Sequence, residues 1–599
     1  MNKTEKMICL LLGAVLAFWI FREVPKQKKA AAEAAERARI AAEVAATNQV
    51  VRSAAVVKPT DGARAPDPLC NAAAERGMAK HGTDKEAPTV PEKIVVLENE
   101  QLKLELSSWG AVVKRATLKG YAKRRGELSE ENGPVELDFA AAPLGALTGV
   151  EGLAENAAYE VRSAASNEVV FVNAKVTRKV TLGADYQVTY EETFAGAGRA
   201  ATALSLGVMQ MGISKNDLLS IDSMAVGPKG EKAIHHSEEE PLKDYLVGGL
   251  TGGCSGSKSA AGLPEKMDVP YRGTQKWVAV KNRFFVTALA ESSVGNDGFV
   301  ATVARDVRSQ NYRPESVAAR VVFPAMGAGN LTRTSVFYVG PKKQALLWDL
   351  GMKDVMDFGM WRWICYPLVW ILNVFHDWVP NFGVAIILLT ILVRILFWPL
   401  THKSTVGMKK MQEIQPLMKE IQKKYKDNPQ RLQQETWNLY KDHKVNPMSS
   451  CLPMLIQIPV FIALFNVLRS AVELRYAPFL WIADLSEPEG LFASWFPFGG
   501  LNILPILMAA TMALQSALTP STGDKSQQRM MMVFMPVMML VMFYSFPSAL
   551  SLYWTLSQVF SIVQMWLIRR QSAAKGSGGA AIIPEVIDPP QTRQMRRHG

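Results

Sequence analysis

The feature that most constrains this chain is the length of its apolar runs. Phe382–Leu400 holds one charged residue in nineteen, and further apolar runs follow Ser449. A helix of about 20 apolar residues crosses the ~30 Å hydrocarbon core of a bilayer. Lipid accepts only structures that satisfy their own backbone hydrogen bonds, and a helix does so within one segment. The C-terminal part is therefore predicted to be an α-helical polytopic membrane domain.

The N-terminus adds one more candidate span. Met7–Phe21 is apolar throughout and follows a basic start, as in a signal peptide. Arg22 to Pro25 stand where a small-residue cleavage site is expected, so residues 1–25 are interpreted as an uncleaved signal anchor. With the later runs this predicts six spans, of which the last five are Gly383–Leu400, Ser449–Ala471, Leu501–Thr519, Arg529–Phe546 and Pro547–Ile568.

Between the anchor and the later spans, the amino-acid composition and pattern change twice. Residues 26–92 are poor in large apolar residues and are predicted to form a flexible linker. Residues 93–340 carry short strand-like runs punctuated by Gly, Asn and Pro, which predicts one large all-β sandwich outside the cytosol. His235 and His236 are interpreted as surface loop residues. The predicted strands are Lys93–Leu106, Tyr159–Ser163, Glu168–Lys175, Tyr186–Phe194, Trp277–Leu289, Phe299–Arg305, Ala318–Phe323 and Thr334–Val339.

Residues 353–379 are long and apolar enough to cross a membrane, but topology argues against a span. A crossing here would place the basic loop after Leu400 outside the cytosol. The tryptophans of this segment, together with Arg362 and Asp377, suit an amphipathic helix lying on the outer membrane surface. We therefore predict an interfacial helix.

Charge sets the predicted orientation. The net charge is +12, and the loop 402–448 holds ten Lys/Arg against five acids, while the tail 569–599 holds six against two. The positive-inside rule then places both termini in the cytosol and residues 93–340 in the periplasm. No DNA-binding motif is present, so the basic charge is assigned to loops facing anionic lipid, and no direct nucleic-acid recognition is expected.

The sequence carries no motif for a cofactor or metal. The five cysteines form no CxxC pair, and Cys70 and Cys254 are left open as a possible disulfide. No phosphate-binding P-loop occurs. We therefore expect no catalytic residues, no cofactor and no metal.

Arg394 is the one charged residue well inside a span. Such an arginine is costly in lipid, and no span interior offers an Asp or Glu to neutralise it. It lies about 9 Å by helical rise from Leu400, so its side chain either reaches the cytosolic headgroups or lies in a hydrated cavity. Thr390, four residues earlier, shares its helix face.

Other polar residues lie in the spans and favour the cavity. Ser548, Ser551, Thr555 and Gln558 are spaced 3, 4 and 3 along the last span, and Gln457, Asn466 and Gln515 add amides. Each alone is also explained by hydrogen bonds to its own helix or by packing between helices. The fifth span holds seven methionines, among them Met531, Met535, Met538 and Met542; these suit a surface for varied apolar clients or plain core packing.

The loop 402–448 is predicted to be a cytosolic helical hairpin. Met408, Met411, Ile414 and Leu417 recur at helical spacing, and Asp427-Asn428-Pro429 forms the turn. The hairpin either packs on itself or docks a ribosome or nascent chain. Its candidate contact residues are Lys409, Lys410, Lys423 and Lys424.

At this point the chain resembles a known family. The blocks TILVR, WPLTHKS, LYKDHKVNPMSSCLPMLIQIPVFIALF, VELRYAPFLWIADLS, FMPVMM and FPSALSLYW follow one another in residues 380–568 as they do in the YidC/Oxa/Alb family of membrane protein insertases. The resemblance implies a five-span insertase core with a hydrophilic groove open to cytosol and lipid. Residues 93–340 resemble the β-supersandwich of the Gram-negative form, which is similar to sugar-mutarotase domains.

The resemblance also implies roles for residues and partners. Arg394 matches the groove arginine of the family and Thr390 its nearby hydroxyl. The aligned pair on the last span is Tyr553-Trp554, and Trp554 is interpreted as taking the place of a family tyrosine. The implied partners are nascent membrane proteins, membrane lipids, the Sec translocon, the ribosome and the signal recognition particle receptor. Two alternative functions stay open. The protein could be a transporter that uses Arg394 as an anion site, or an enzyme centred on the outer domain.

Overall fold

The computed structural model describes twelve stretches of the chain and divides it into two compact units. The first unit holds the described residues up to Ala385 together with Val460–Glu487, and the second holds Ile386–Pro459 and the described residues from Pro488 onward. The predicted signal anchor, nearly all of the predicted linker and Cys9, Cys70, Cys254 and Cys451 lie outside the described residues. The described stretches are 90–123, 132–195, 200–210, 219–227, 230–237, 266–305, 314–325, 331–443, 445, 452–492, 500–518 and 530–576.

Two antiparallel sheets dominate the first unit and confirm the predicted sandwich. One sheet has the strand order β1-β2-β3-β5-β10-β17-β16-β13, with β4 paired to β3, and the other has the order β12-β11-β14-β15-β18-β9-β8-β7-β6. The strands are β1 Ile94–Glu98, β2 Leu102–Ser107, β3 Val112–Ala122, β4 Pro134–Asp138, β5 Leu144–Thr148, β6 Glu160–Ala164, β7 Glu168–Val172, β8 Val176–Leu182, β9 Gln187–Phe194, β10 Thr202–Gln210, β11 Ser220–Gly227, β12 Gly230–Ser237, β13 Lys266–Arg272, β14 Gln275–Lys281, β15 Phe285–Ser292, β16 Gly298–Arg305, β17 Pro314–Phe323 and β18 Leu331–Pro341.

Three predictions about the strands were wrong. Trp277–Leu289 is two strands, because Asn282 accepts hydrogen bonds from the backbone N–H of Phe284 and Phe285 and closes a turn between β14 and β15. Lys93–Leu106 is likewise a hairpin, in which Asn99 accepts from the N–H of Gln101 and Leu102. His235 and His236 lie in β12 rather than in a loop, opposite Asp222 and Ile221. In each case the structure was decided by hydrogen bonds to a local polar side chain or by pairing with a neighbouring strand, and not by the pattern of residues along the chain.

The sandwich interior contains a buried ionic network. Arg178 lies opposite Glu192 on neighbouring strands, and Glu192 lies opposite Arg333 on the next. All three side chains are fully buried. Glu192 forms an ion pair with Arg178 at 2.8 Å and accepts hydrogen bonds from Arg333 at 2.8 and 2.5 Å. The two terminal nitrogens of Arg178 also donate to the carbonyls of Gly110 and Gly145. Because buried charges must be paired, this network fixes the register of β8, β9 and β18.

Short helices follow the sandwich in the first unit. They are α1 Gln344–Asp349, the 3₁₀ turns Lys353–Met356 and Gly359–Trp361, and α2 Arg362–Trp378. Helix α2 buries Cys365, Leu368, Val369 and Leu372, which are spaced as one helical face. Trp370 and Trp378 on its other faces are exposed. The predicted amphipathic helix therefore forms, and its position on the outer membrane surface stays a prediction.

The remaining helices carry the predicted spans. They are α3 Phe382–Glu413, α4 Gln415–Lys424, α5 Pro429–Asp442, α6 Leu452–Ser470, α7 Ile503–Leu518, α8 Met535–Phe543 and α9 Ser548–Gly576. In the described part of the chain one stretch, Phe382–His402, is long and apolar enough to cross a membrane by itself, with a mean hydropathy of 2.3. Gln457–Ser470, Ile503–Leu518 and Met532–Phe543 are apolar but shorter. The count of six spans stays a prediction.

The fifth predicted span is not one regular helix. Met530–Phe534 forms a π-helical turn, and α8 begins at Met535. Pro536 has no backbone N–H to donate to the preceding turn, so the regular hydrogen-bond ladder is interrupted at this point.

The predicted helical hairpin is present in the second unit. Helices α4 and α5 are joined at Asn428, whose side chain caps α5 by accepting from the N–H of Arg431 at 3.1 Å. Its core is formed by Met411, Ile414, Met418, Leu439 and Val445. Helix α3 extends beyond the second predicted span through His402 to Glu413, and α4 begins two residues later at Gln415.

Candidate functional site

Arg394 is the centre of the candidate site. It lies on α3, half-buried, and its guanidinium donates a hydrogen bond of 2.5 Å to the backbone carbonyl of Ser557 on α9. Within the described residues no carboxylate lies within ion-pairing distance of it. The snorkelling interpretation is therefore less favoured than a polar site between α3 and α9, because the guanidinium is turned toward a neighbouring helix.

A second contact shows how α3 and α9 are aligned. Gln564 donates to the hydroxyl of Thr401 at 3.1 Å. Thr401 lies seven residues after Arg394, and Gln564 lies seven residues after Ser557. Seven residues are about 10.5 Å of helix, so the two helices run in the same direction with matched register.

An amide and a phenol form the next polar contact. Gln457 on α6 donates to the hydroxyl of Tyr553 on α9 at 3.3 Å, and Tyr553 is almost fully buried. Trp554 is half-buried, and its ring packs at 5.5 Å from the ring of Phe543. The hydroxyl at this site therefore comes from Tyr553. The interpretation that Trp554 takes the place of a family tyrosine stays a prediction.

The predicted hydroxyl groups lie in the same unit but bond locally. Thr390 is fully buried and donates to the carbonyl of Ile386, and Thr555 donates to that of Ser551, each four residues back. These hydrogen bonds fit the alternative given above, in which each hydroxyl bonds to its own helix. Ser551 is buried, and its hydroxyl has no hydrogen-bond partner among the described residues. Gln515 and Gln558 are half-buried.

Sequence reasoning named Tyr553 but missed the rest of the stripe of α9 that faces α3. Tyr553, Ser557, Ser561 and Gln564 are spaced 4, 4 and 3, which is the signal that would have found it. It also missed a polar junction at the start of α7. Asn502 donates to the carbonyl of Tyr544, Tyr544 donates to that of Gly500, and Glu489 accepts from the N–H groups of Ile503 and Leu504 at the start of α7.

Two of the four methionines of α8 are exposed. Met538 and Met542 are 39% and 43% exposed, and Met535 is half-buried. Plain core packing therefore does not explain Met538 and Met542. The side chain of Met531 lies outside the described part of the chain.

The hairpin lysines are solvent-facing where they are described. Lys410, Lys423 and Lys424 are exposed, and the side chain of Lys409 lies outside the described residues. Trp437 is also exposed, and the ammonium of Lys441 lies 6.0 Å from its ring. The hairpin therefore presents a basic surface with one aromatic group. No cluster of three or more His, Cys, Asp or Glu suited to a metal ion occurs among the described residues.

Comparison with known proteins decides the family. Residues 374–575 match the family model of the 60Kd inner membrane protein, and residues 94–371 match that of the YidC periplasmic domain. The chain is 30% identical over 590 residues to the membrane protein insertase YidC of Chlorobaculum tepidum, covering 94% of each chain. The chain belongs to the YidC family of membrane protein insertases. YidC proteins are inner-membrane proteins with a periplasmic domain, and they are insertases rather than enzymes.

Two further similarities cover less of the chain. The YidC of Syntrophobacter fumaroxidans is 42% identical over 317 residues, a match that spans 51% of this chain and 56% of that relative. The crystal structure of an active YidC insertase with its first transmembrane domain resolved covers 80% of this chain and 93% of its own, at 19% identity and a TM-score of 0.32. That structural likeness is too weak to carry any argument about the site.

Proposed function

We propose that this protein inserts nascent membrane proteins into a bacterial inner membrane through the polar site around Arg394, alone or with the Sec translocon. A client's apolar segment leaves along α8, while its polar flank occupies a hydrophilic groove open to cytosol and lipid. No covalent step is required. Water and a fixed positive charge lower the cost of moving polar residues through an apolar medium.

The observation that carries this proposal is the state of Arg394. An arginine in an apolar helix, with no acid to pair with it among the described residues, keeps its charge available for a client. Its guanidinium lies against a helix carbonyl, and α6 and α9 add the Gln457 and Tyr553 pair. The buried hydroxyl of Ser551, which has no partner among the described residues, is a further polar group of the kind that a hydrated groove would satisfy.

The contacts also support the predicted topology. Parallel α3 and α9 are expected if both run from the periplasmic to the cytosolic side. The start of α7 lies beside the end of α8, as expected for consecutive antiparallel spans. With the basic hairpin in the cytosol, its exposed lysines are the proposed contacts for the ribosome, and the signal recognition particle receptor is the second proposed partner.

The test is insertion by the purified full chain in liposomes. A single-span client made in vitro is added, and protease protection of its translocated tail is measured against empty liposomes. Tyr553→Phe removes one hydroxyl and is expected to slow insertion a few-fold, because Gln457 loses its acceptor. Tyr544→Phe removes a hydroxyl at the distant junction and is the matched control. Protection no greater than in empty liposomes would refute the proposed function.

A further inference from the structure

Arg283 makes a set of contacts that the insertase site does not explain. It sits in the turn between β14 and β15, and its side chain is only 4% exposed. Its Nε donates to the carbonyl of Arg469 at 2.8 Å, one terminal nitrogen bonds Glu487 at 2.5 Å, and the other donates to the carbonyl of Ser486 at 2.6 Å. One side chain of the sandwich thus holds two segments far away in sequence.

The first of these segments is the end of a predicted span. Helix α6 ends at Ser470, so the carbonyl of Arg469 is one of the last four, which have no partner within the helix. A cation at this position satisfies the carbonyl and is favoured by the helix dipole. Arg283 therefore caps the C-terminal end of the helix that carries Gln457.

The second segment is held in a fixed shape before Arg283 reaches it. Asp484 accepts from the N–H and hydroxyl of Ser486 at 2.8 and 2.7 Å, and from the N–H of Tyr476 at 3.1 Å. The turn that carries Arg283 is fixed in the same way, by the side chain of Asn282. Two preorganised loops joined by a charged, nearly buried group form a rigid contact, because little conformational freedom is lost on forming it.

A second arginine makes the reciprocal contact. Arg475, in the loop after α6, donates to the carbonyl of Ala122 in β3 at 2.9 Å, and its guanidinium lies 5.4 Å from the ring of Phe285. The hydroxyl of Tyr476 donates to the carbonyl of Lys123 at 3.2 Å. The sandwich and residues 460–487 therefore contact each other at two places, and they form part of one compact unit.

We propose that Arg283 is a positioning residue of the insertase, through which the β-sandwich fixes the outer end of α6 and the loop that follows it. The sandwich is then a structural support for the insertion machinery rather than a tethered module. This inference rests on the proposed function for its effect on insertion. The contact itself is tested independently of insertion.

The test compares four variants of the full chain with the wild type, in detergent and in liposomes. Arg283→Gln shortens the side chain and removes its charge, Arg283→Lys keeps the charge, and Glu487→Gln weakens one of the three contacts. Arg320→Gln is the matched control, because Arg320 pairs with Glu155 at 2.8 Å inside the sandwich. Hydrogen exchange is followed in peptides covering 466–476 and 484–487, with β9 and β18 as internal references.

Arg283→Gln is expected to raise exchange in 466–476 and 484–487 at least tenfold while β9 and β18 keep their protection. Its maximal insertion rate should fall several-fold with an unchanged half-saturating client concentration, because Arg283 does not touch the client. Lysine should restore part of both, and Glu487→Gln should give a smaller change of the same kind. Arg320→Gln should leave the exchange of 466–476 and the insertion rate unaltered.

Two results would overturn the inference. Unchanged exchange at 466–476 in Arg283→Gln would show that the contact does not hold the end of α6. Raised exchange with an unaltered insertion rate would show that the contact does not position the insertase. A wild-type chain that fails to insert any client would instead refute the proposed function, and the exchange experiment would still decide whether Arg283 fixes the helix end.

Discussion

Replacing Arg394 by alanine separates a client-binding charge from a merely structural one. The carbonyl of Ser557, which accepts from Arg394, also accepts from the hydroxyl of Ser561 at 3.0 Å. Removing the arginine therefore leaves no unpaired carbonyl, and removing a charge from a span lowers its cost in lipid. We expect Arg394→Ala to fold and to reach the membrane.

The expected effect on insertion follows from the charge. An acidic residue in a client's tail at about 6 Å from the guanidinium is attracted by roughly 3 kcal/mol at an effective dielectric constant of about 20. Water and salt in a groove open to the cytosol reduce this to about 1–2 kcal/mol. Because each ~1.4 kcal/mol is a factor of ten in rate, insertion of an acidic client should fall about tenfold.

The assay uses two single-span clients that differ only in the charge of the translocated tail. Protease protection of each is measured in membranes containing wild-type, Arg394→Ala or Arg394→Lys protein at matched abundance. The neutral client should change about twofold or less, since its attraction to the site is not Coulombic. Lysine should restore part of the acidic client's rate, because it keeps the charge but lacks the planar fork. Arg431→Ala, at an exposed arginine of the hairpin, is the control.

Equal insertion of the acidic client by wild-type and alanine proteins would refute the charge-attraction mechanism. An equal loss for both clients would show that Arg394 supports the helices rather than the client. The family assignment would stand in either case, because it rests on the matched sequence.

Three further predictions concern topology and stability. In a cysteine-free background, an impermeant thiol reagent added to the periplasmic side should label Leu480→Cys, whose side chain is exposed, and not Lys426→Cys; labelling of both would overturn the topology. Glu192→Gln should lower the unfolding free energy by about 3–5 kcal/mol in urea denaturation, since it leaves Arg178 and Arg333 without a buried counter-charge, and Glu155→Gln should lower it by about 1 kcal/mol or less. Burial would raise the pKa of Glu192, but the two arginines hold it below its ordinary value. The difference in unfolding free energy between the wild type and Glu192→Gln should therefore be full at neutral pH and should vanish as pH falls through that lowered pKa. A difference independent of pH would refute the argument. Burial and the nearby charge of Lys281 lower the pKa of Lys342 to about 7, with Arg283 acting in the same direction and Asp222 and Asp357 opposing it. Folding therefore releases the proton of Lys342 between about pH 7 and the ordinary lysine pKa, and stability should rise with pH across that window. Lys342→Met should flatten this rise in thermal unfolding scans, and an unaltered slope would contradict the argument.

The sequence predicted most of the architecture because its signals are local or additive. The apolar run Phe382–Leu400, the charge of loop 402–448 and the turn at Asn428 depend on neighbours along the chain. Strand boundaries were less well predicted. The turn at Asn282 and the strand holding His235 depend on which backbone groups find partners across a sheet, and periodicity does not encode that choice.

The candidate site divides in the same way. Arg394 stood out by itself, because a charge in an apolar helix is conspicuous in any context. The face of α9 that meets it was misjudged, since several polar stripes are compatible with one helix and packing selects among them. Tyr553 rather than Trp554 contacts Gln457 for the same reason, as two adjacent residues point about 100° apart on a helix.

The sequence by itself determined that the chain enters a membrane and that an arginine lies inside an apolar helix, and it predicts which side the basic loops face. These follow from the free energy of transferring residues into lipid, which is nearly a sum over residues. Only the tertiary structure decided that Arg394 meets Ser557, that Glu192 joins two arginines from neighbouring strands, and that Arg283 caps a helix about 190 residues away. Hydrogen bonds and ion pairs require atoms placed to within a few tenths of an ångström, and the folded chain brings together groups whose sequence separation says nothing about their distance.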